Sequence, residues 1–145
     1  MNLAIIAPEI TVIVIACLLI AVDLVLLGYL AAILLIIPLA MVVSMLGRPP
    51  ETAFGGALVV DQMATFFKML FLIAAGMVLL SSVQYVRRVA NAPAECYALV
   101  LFSTSGMMFL AGSRELISIY VSLELTSIAL YILAGFVRGD PKSGE

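Results

Sequence analysis

The sequence predicts an all-α, polytopic transmembrane helix bundle with five spanning helices, and three observations carry that reading. The chain has 145 residues, of which 65% are hydrophobic and only 11% charged. Its mean hydropathy is +1.27, well above the balance of a soluble domain. Its apolar residues also gather into long runs near the roughly 20 residues that a helix needs to cross a hydrocarbon core of about 30 Å. In lipid, only helices and closed barrels satisfy their own backbone groups. The runs fill the chain and leave no soluble domain, so residues 1–145 read as a single membrane domain.

The first expected span covers residues 3–25, with Glu9 and Asp23 near its two ends and only Ile10 to Val22 uncharged between them. Both acids are expected at the membrane interfaces or against protein. The opening MNLAIIAPEI carries no Lys or Arg, so it lacks the basic start of a signal peptide and is expected to remain as a span. The second span, 28–46, follows so closely that the two must form an antiparallel helical hairpin. Pro38 in its middle removes a backbone hydrogen bond and predicts a kink.

GRPPETAFGG, residues 47–56, has the prolines, glycines and charges of a loop outside the hydrocarbon. The third span, 61–85, opens at Asp61, whose carboxylate suits an N-cap. It stops before Arg87 and Arg88. The fourth, 94–111, begins at a turn where Pro93 and Glu95 fit a first helical turn. The fifth, 116–137, lies between GSRE and RGDPKSGE.

Five spans put the termini on opposite sides. Arg87, Arg88, Arg138 and Lys142 then share one face, against Arg48 and Arg114 on the other, so the positive-inside rule places the N-terminus outside and the C-terminus in the cytoplasm. The expected location is the cytoplasmic (inner) cell membrane, with the lipid bilayer as surroundings. A formal charge of −2 lacks the basic surplus of a nucleic-acid binder. Cys17 and Cys96 read as small buried hydrophobes. With no His and no cysteine cluster, no haem, iron–sulfur or zinc site is expected in this chain.

The chemistry-bearing candidate is Glu124, inside the apolar run LISIYVSLELTSIALYIL. From Arg114 and Arg138 it lies about 15 Å and 21 Å along a helix axis, close to mid-membrane. A Glu side chain is too short to reach headgroups from there, and a charge at a helix centre costs at least ~2.5–3.5 kcal/mol on insertion scales. It must face protein or water. Tyr120, Glu124, Ser127 and Tyr131 recur at helical spacing as one polar stripe, and Ser118, Ser122 and Thr126 form another on the other side. Neighbours are therefore expected on two faces of this helix. The plain alternative is a protonated, hydrogen-bonded packing residue. Ser or Gln would serve that purpose without an ionisation penalty, and an intramembrane acid is by default a functional candidate.

Lys68 is the other ionisable group inside an apolar run. Its stem can snorkel past Phe66 and Phe67 to the loop face. It also shares a helical face with Asp61 and Thr65, which fits a capping and charge-compensating cluster, and a transport role stands beside both readings.

VVDQMATFFK at 59–68, ECYALVLFSTSGMMFLAGSRELISIYVSLELTSIALYILAGF at 95–136, and PEI at 8–10 with Asp23 resemble subunit N of the proton-pumping NADH:quinone oxidoreductase, complex I. The resemblance covers essentially the whole chain. It implies an antiporter-like membrane subunit that binds no redox cofactor and translocates protons, while NADH, flavin, iron–sulfur clusters and quinone are handled in partner subunits. Neighbouring antiporter-like subunits are among the implied partners. In that family the Glu of a Leu-Glu-Leu motif on the fifth helix pairs with a lysine of the seventh, and it falls on Glu124 here. The family has roughly fourteen helices, so the chain is expected to be the N-terminal part of such a subunit.

Two alternatives share this reading of the residues. A subunit of a multisubunit cation/proton antiporter or of a membrane-bound hydrogenase would carry the same buried acid, and co-purifying proteins would tell them apart. A purely structural membrane module would hold Glu124 only as a packing group.

Overall fold

The computed structural model describes residues 6–21, 27–89 and 93–136. Helix α1, Ala7–Ala21, carries Pro8 and Glu9 in its first turn, where a missing N–H is harmless and a negative charge meets the positive end of the helix dipole. It buries Val12, Ile15, Ala16 and Leu19, the helical spacing of a single face. That face packs on α3 and α5. Cys17 lies on the exposed side, contrary to the expectation of a buried thiol, because the interior face of α1 passes through its neighbours in sequence. Asp23 lies outside the described residues.

The second apolar run is broken into α2, Leu27–Leu34, and α3, Ile36–Ser44, at Leu35. Pro38 is the cause, since it cannot donate to the carbonyl one turn earlier. Leu35 still donates to Ala31 O and Leu39 to Leu35 O, each at 3.1 Å, so the hydrogen bonding runs on past the break.

Beyond Gly47, whose φ of 77° turns the chain out of α3, the loop contains structure that its proline- and glycine-rich composition masked. Strands β1, Glu51–Ala53, and β2, Leu58–Val60, pair antiparallel with Glu51 opposite Val60 and Ala53 opposite Leu58. Phe54, Gly55 and Gly56 all take positive φ at the turn, a region that two glycines enter without a Cβ penalty. Helix α4, Gln62–Val89, then starts with Asp61 as its cap: Ala64 N–H donates to Asp61 Oδ1 at 2.7 Å.

Helices α5, Pro93–Gly112, and α6, Leu116–Ala134, complete the described bundle. The centre is α5, which packs against α1, α4 and α6. Leu19, Leu72, Leu79, Leu101 and Met108 fill the core around it. Ser103, Thr104, Ser105 and Gly106 are all buried on α5, and Thr104 and Ser105 return their hydroxyl protons to Val100 O and Phe102 O, each at 2.8 Å. Thr104 and Ser105 thus sit inside a membrane bundle with their donors matched, whereas the buried Ser103 Oγ has no hydrogen-bond partner among the described residues. The outer surface is apolar instead, with Ile33, Ile36, Met63, Met77, Leu116 and Ile117 exposed.

Among the described residues, three helical stretches are long and apolar enough to cross a membrane: Gln62–Val86, Pro93–Gly112 and Leu116–Ala134. The described parts of the first two expected spans are the shorter apolar helices Ala7–Ile20 and Gly28–Ser44. Following the chain, the start of α1, the end of α3, the β-hairpin, the start of α4 and the α5–α6 turn all lie at one end of the bundle. The hairpin ties that end together, because Arg114 N–H donates to Ala57 O at 2.9 Å and Leu58 bridges to Ser113.

Candidate functional site

Glu124 sits near the middle of α6, about 12 Å from Leu116 and 15 Å from Ala134 by helical rise. The face that α6 buries is defined by Ser122 and Ala129, and it lies on α5. At that contact a Cβ on Gly106 would lie 2.9 Å from the backbone nitrogen of Thr126, so the two helices meet backbone to backbone. Glu124 is rotated about 200° from Ser122, which carries it to the far side of the helix. There it is half-buried, as is Ser127, while Tyr120 is 62% and Tyr131 74% exposed.

The two stripes therefore have different surroundings. Ser122 donates to Ser118 O at 2.7 Å and Thr126 to Ser122 O at 3.0 Å, while the Ser113 and Ser122 hydroxyls stand 3.5 Å apart. That stripe is satisfied locally and serves close packing. The Glu124 stripe faces away from the described helices, which cover the other of the two expected faces, chiefly through α5. Among the described residues Glu124 has no hydrogen-bond or ion-pair partner.

Glu9 faces protein, one of its two expected placements, and Lys68 departs from the snorkelling reading to meet it. Lys68 does not snorkel to the surface: it is 2% and Glu9 1% exposed, and the Lys68 ammonium on α4 forms an ion pair with Glu9 Oε1 on α1. The two helices begin at the same end of the bundle, so a Glu in the first turn of α1 comes level with a Lys about 9 Å into α4. Glu9 Oε2 is buried with no hydrogen-bond partner among the described residues, as is Ser103 Oγ on α5. Lys68 is thus not brought to Glu124, and the structure holds two ionisable loci on different helices.

The Lys68 face of α4 leads outward. Thr65, one turn toward the loop and 2% exposed, donates to Asp61 O at 2.8 Å. Beside it lies a cavity of about 30 Å³ lined by Met45, Arg48, Pro49, Glu51, Val60, Asp61 and Thr65. The paired signal was present in the sequence as two lone ionisable residues of opposite sign, each within about 10 Å of the same end of the bundle. What was missing was the bundle arrangement that lets a side chain of α1 reach one of α4.

The fold and these sites define a class: a multi-pass helical membrane protein that keeps ionisable side chains within its apolar bundle. No family model matches the chain. Its sequence is similar to NADH-quinone oxidoreductase subunit N, the resemblance expected from its motifs. It is 41% identical to that protein of Dehalococcoides mccartyi over 95% of the present chain and 30% of the relative. With the subunit N of Trichlorobacter lovleyi it shares 46% identity over 65% of the chain and 19% of the relative. The NAD(P)H-quinone oxidoreductase subunit 2 of a Picosynechococcus species is 35% identical over 75% of the chain and 23% of the relative. The chain thus spans less than a third of the length of these curated relatives.

Proposed function

We propose that this chain forms part of a proton-translocating membrane subunit of NADH:quinone oxidoreductase, with Glu124 as an ionisable member of its proton path. The observation that carries the reading is the mid-helix carboxylate on a polar stripe turned away from its own bundle. A group bearing a desolvation cost of ~2.5–3.5 kcal/mol with no partner among the described helices is placed to meet one from elsewhere. The similarity to subunit N along most of the chain supports the same assignment.

In this reading Glu124 takes a proton from water or a basic side chain facing α6 and returns it when that neighbour's charge changes. Tyr120, Ser127 and Tyr131 supply hydroxyls along the same stripe, each able to donate and to accept. Electron transfer from NADH through flavin and iron–sulfur clusters to quinone belongs to partner subunits, and neighbouring membrane subunits flank this one. The protein lies in the inner cell membrane with its N-terminus outside and its C-terminus in the cytoplasm.

The test is Glu124→Gln in the assembled complex in membrane vesicles, comparing NADH oxidation with proton uptake. The expected result is normal assembly with proton uptake reduced by about 10²-fold, the lower end of what a positioned proton-transfer group contributes. Full uptake in an assembled complex rejects the role of Glu124.

A further inference from the structure

A lysine and a glutamate buried to 2% and 1% exposure are poorly explained by stability alone. Well-packed apolar residues of similar volume commonly replace a buried ion pair at no cost, because desolvating two charges offsets most of their attraction. The pair is also incompletely satisfied, since Glu9 Oε1 faces Lys68 while Oε2 is buried with no hydrogen-bond partner among the described residues. An orphan carboxylate oxygen in an apolar bundle is the atom at which a proton or a water is most strongly favoured.

A cavity with polar lining ends at Thr65, one helical turn from Lys68 on α4. The cavity lined by Arg48, Glu51, Asp61 and Thr65, about 30 Å³, is large enough to hold a water molecule. Arg48 is exposed and Asp61 half-buried, whereas Thr65 and Lys68 are buried, so polarity continues from the surface inward as exposure falls. The Thr65 hydroxyl donates to Asp61 O and its oxygen remains able to accept. Residues three apart on a helix are neighbours, which puts Lys68 within one turn of Thr65.

We propose that Glu9 of α1 and Lys68 of α4, reached through the Asp61–Thr65 cavity, form a second proton-exchange site, on other helices than Glu124. It rests on the reading of the chain as part of a proton-translocating subunit. In the resting state the carboxylate and ammonium sum to zero charge. A hydronium ion protonates Glu9, forming an O–H bond and leaving water, and the pair then carries one positive charge. Lys68 next breaks an N–H bond, passing that proton to a water molecule as hydronium and restoring neutrality as an acid–amine pair. Transfer of the Glu9 proton to the Lys68 nitrogen resets the site, and one proton has moved.

The experiment uses vesicles containing the assembled complex with Glu9→Met/Lys68→Met, with Glu9→Gln, and with Glu124→Gln. Assembly is read by NADH oxidation with an artificial electron acceptor, and proton uptake is measured per NADH oxidised by quinone. The apolar pair removes both charges without leaving one unpaired, so a merely structural role predicts assembly and uptake like the parent. The proposal predicts assembly with proton uptake lowered by about 10²-fold. Where the double variant does not assemble, Glu9→Gln decides, since it keeps the shape of Glu9 and cannot ionise. Parental uptake in either assembled variant overturns the proposal, and failure of both to assemble does so too, by making the pair a folding element. Loss with Glu124→Gln but not with the Glu9 variants removes only this site. Loss with the Glu9 variants alone keeps it and removes Glu124, and parental uptake in all three removes both.

Discussion

Substituting Gly106 by Ala tests the seat on which α6 carries Glu124. An added Cβ would lie 2.5 Å from Thr126 Oγ1, 2.9 Å from Thr126 N and 3.1 Å from Ser122 O. The hydroxyl can rotate away, but two of the three contacts are with the α6 backbone. Ordinary contact begins near 3.4 Å, so relieving the closest backbone approach requires α6 to retreat by ~0.5 Å. Overpacking of this kind costs about 1–3 kcal/mol. Gly76 on α4 supplies the matched control, with nothing within 4 Å of its added Cβ. There the same change should stabilise by up to about 1 kcal/mol, because Ala loses less backbone freedom in a helix interior. Denaturant titration of the two variants in detergent micelles, followed by circular dichroism, should give shifts of opposite sign. If Gly106→Ala proves as stable as Gly76→Ala, the backbone-to-backbone seat is wrong.

Other expectations follow the same logic. Gly28→Ala should destabilise by about 1–3 kcal/mol in that titration, since its Cβ would lie 2.7 Å from Val83 Cγ2 and 2.9 Å from the Tyr97 hydroxyl. Asp61→Ala should cost about 1 kcal/mol by removing the cap of α4. Faster amide exchange at Ala64, the donor at 2.7 Å, would mark the loss.

Much of this architecture could be read from local chemistry, because in a membrane protein local chemistry sets the elements. Apolar length placed the helices, Pro38 marked the break at Leu35, and Asp61 marked the start of α4. The polar stripe on α6 was legible from its spacing alone. Its surroundings were not, since spacing reports which residues share a face and never what covers it. Composition hid the β-hairpin, although Gly55-Gly56 followed by the β-branched Val59 and Val60 is a hairpin cue. Glu9 and Lys68 are 59 positions apart. For a charge in an apolar run, the interface and a protein face are both open from the sequence. Pairing selects the protein face, because the pair needs desolvation of two charges but leaves neither uncompensated.

The short hairpin between α3 and α4 has a mechanical consequence. It is covalently continuous with the helix bearing Lys68, and through Arg114 N–H and Ser113 it is strapped to the pivot from which the helix bearing Glu124 departs. A tilt of the last helix about that pivot therefore pulls on main-chain hydrogen bonds anchored beside the Asp61 cap. Main chain, stiffer than any row of side chains, joins the two charged regions like a crossbar between two levers.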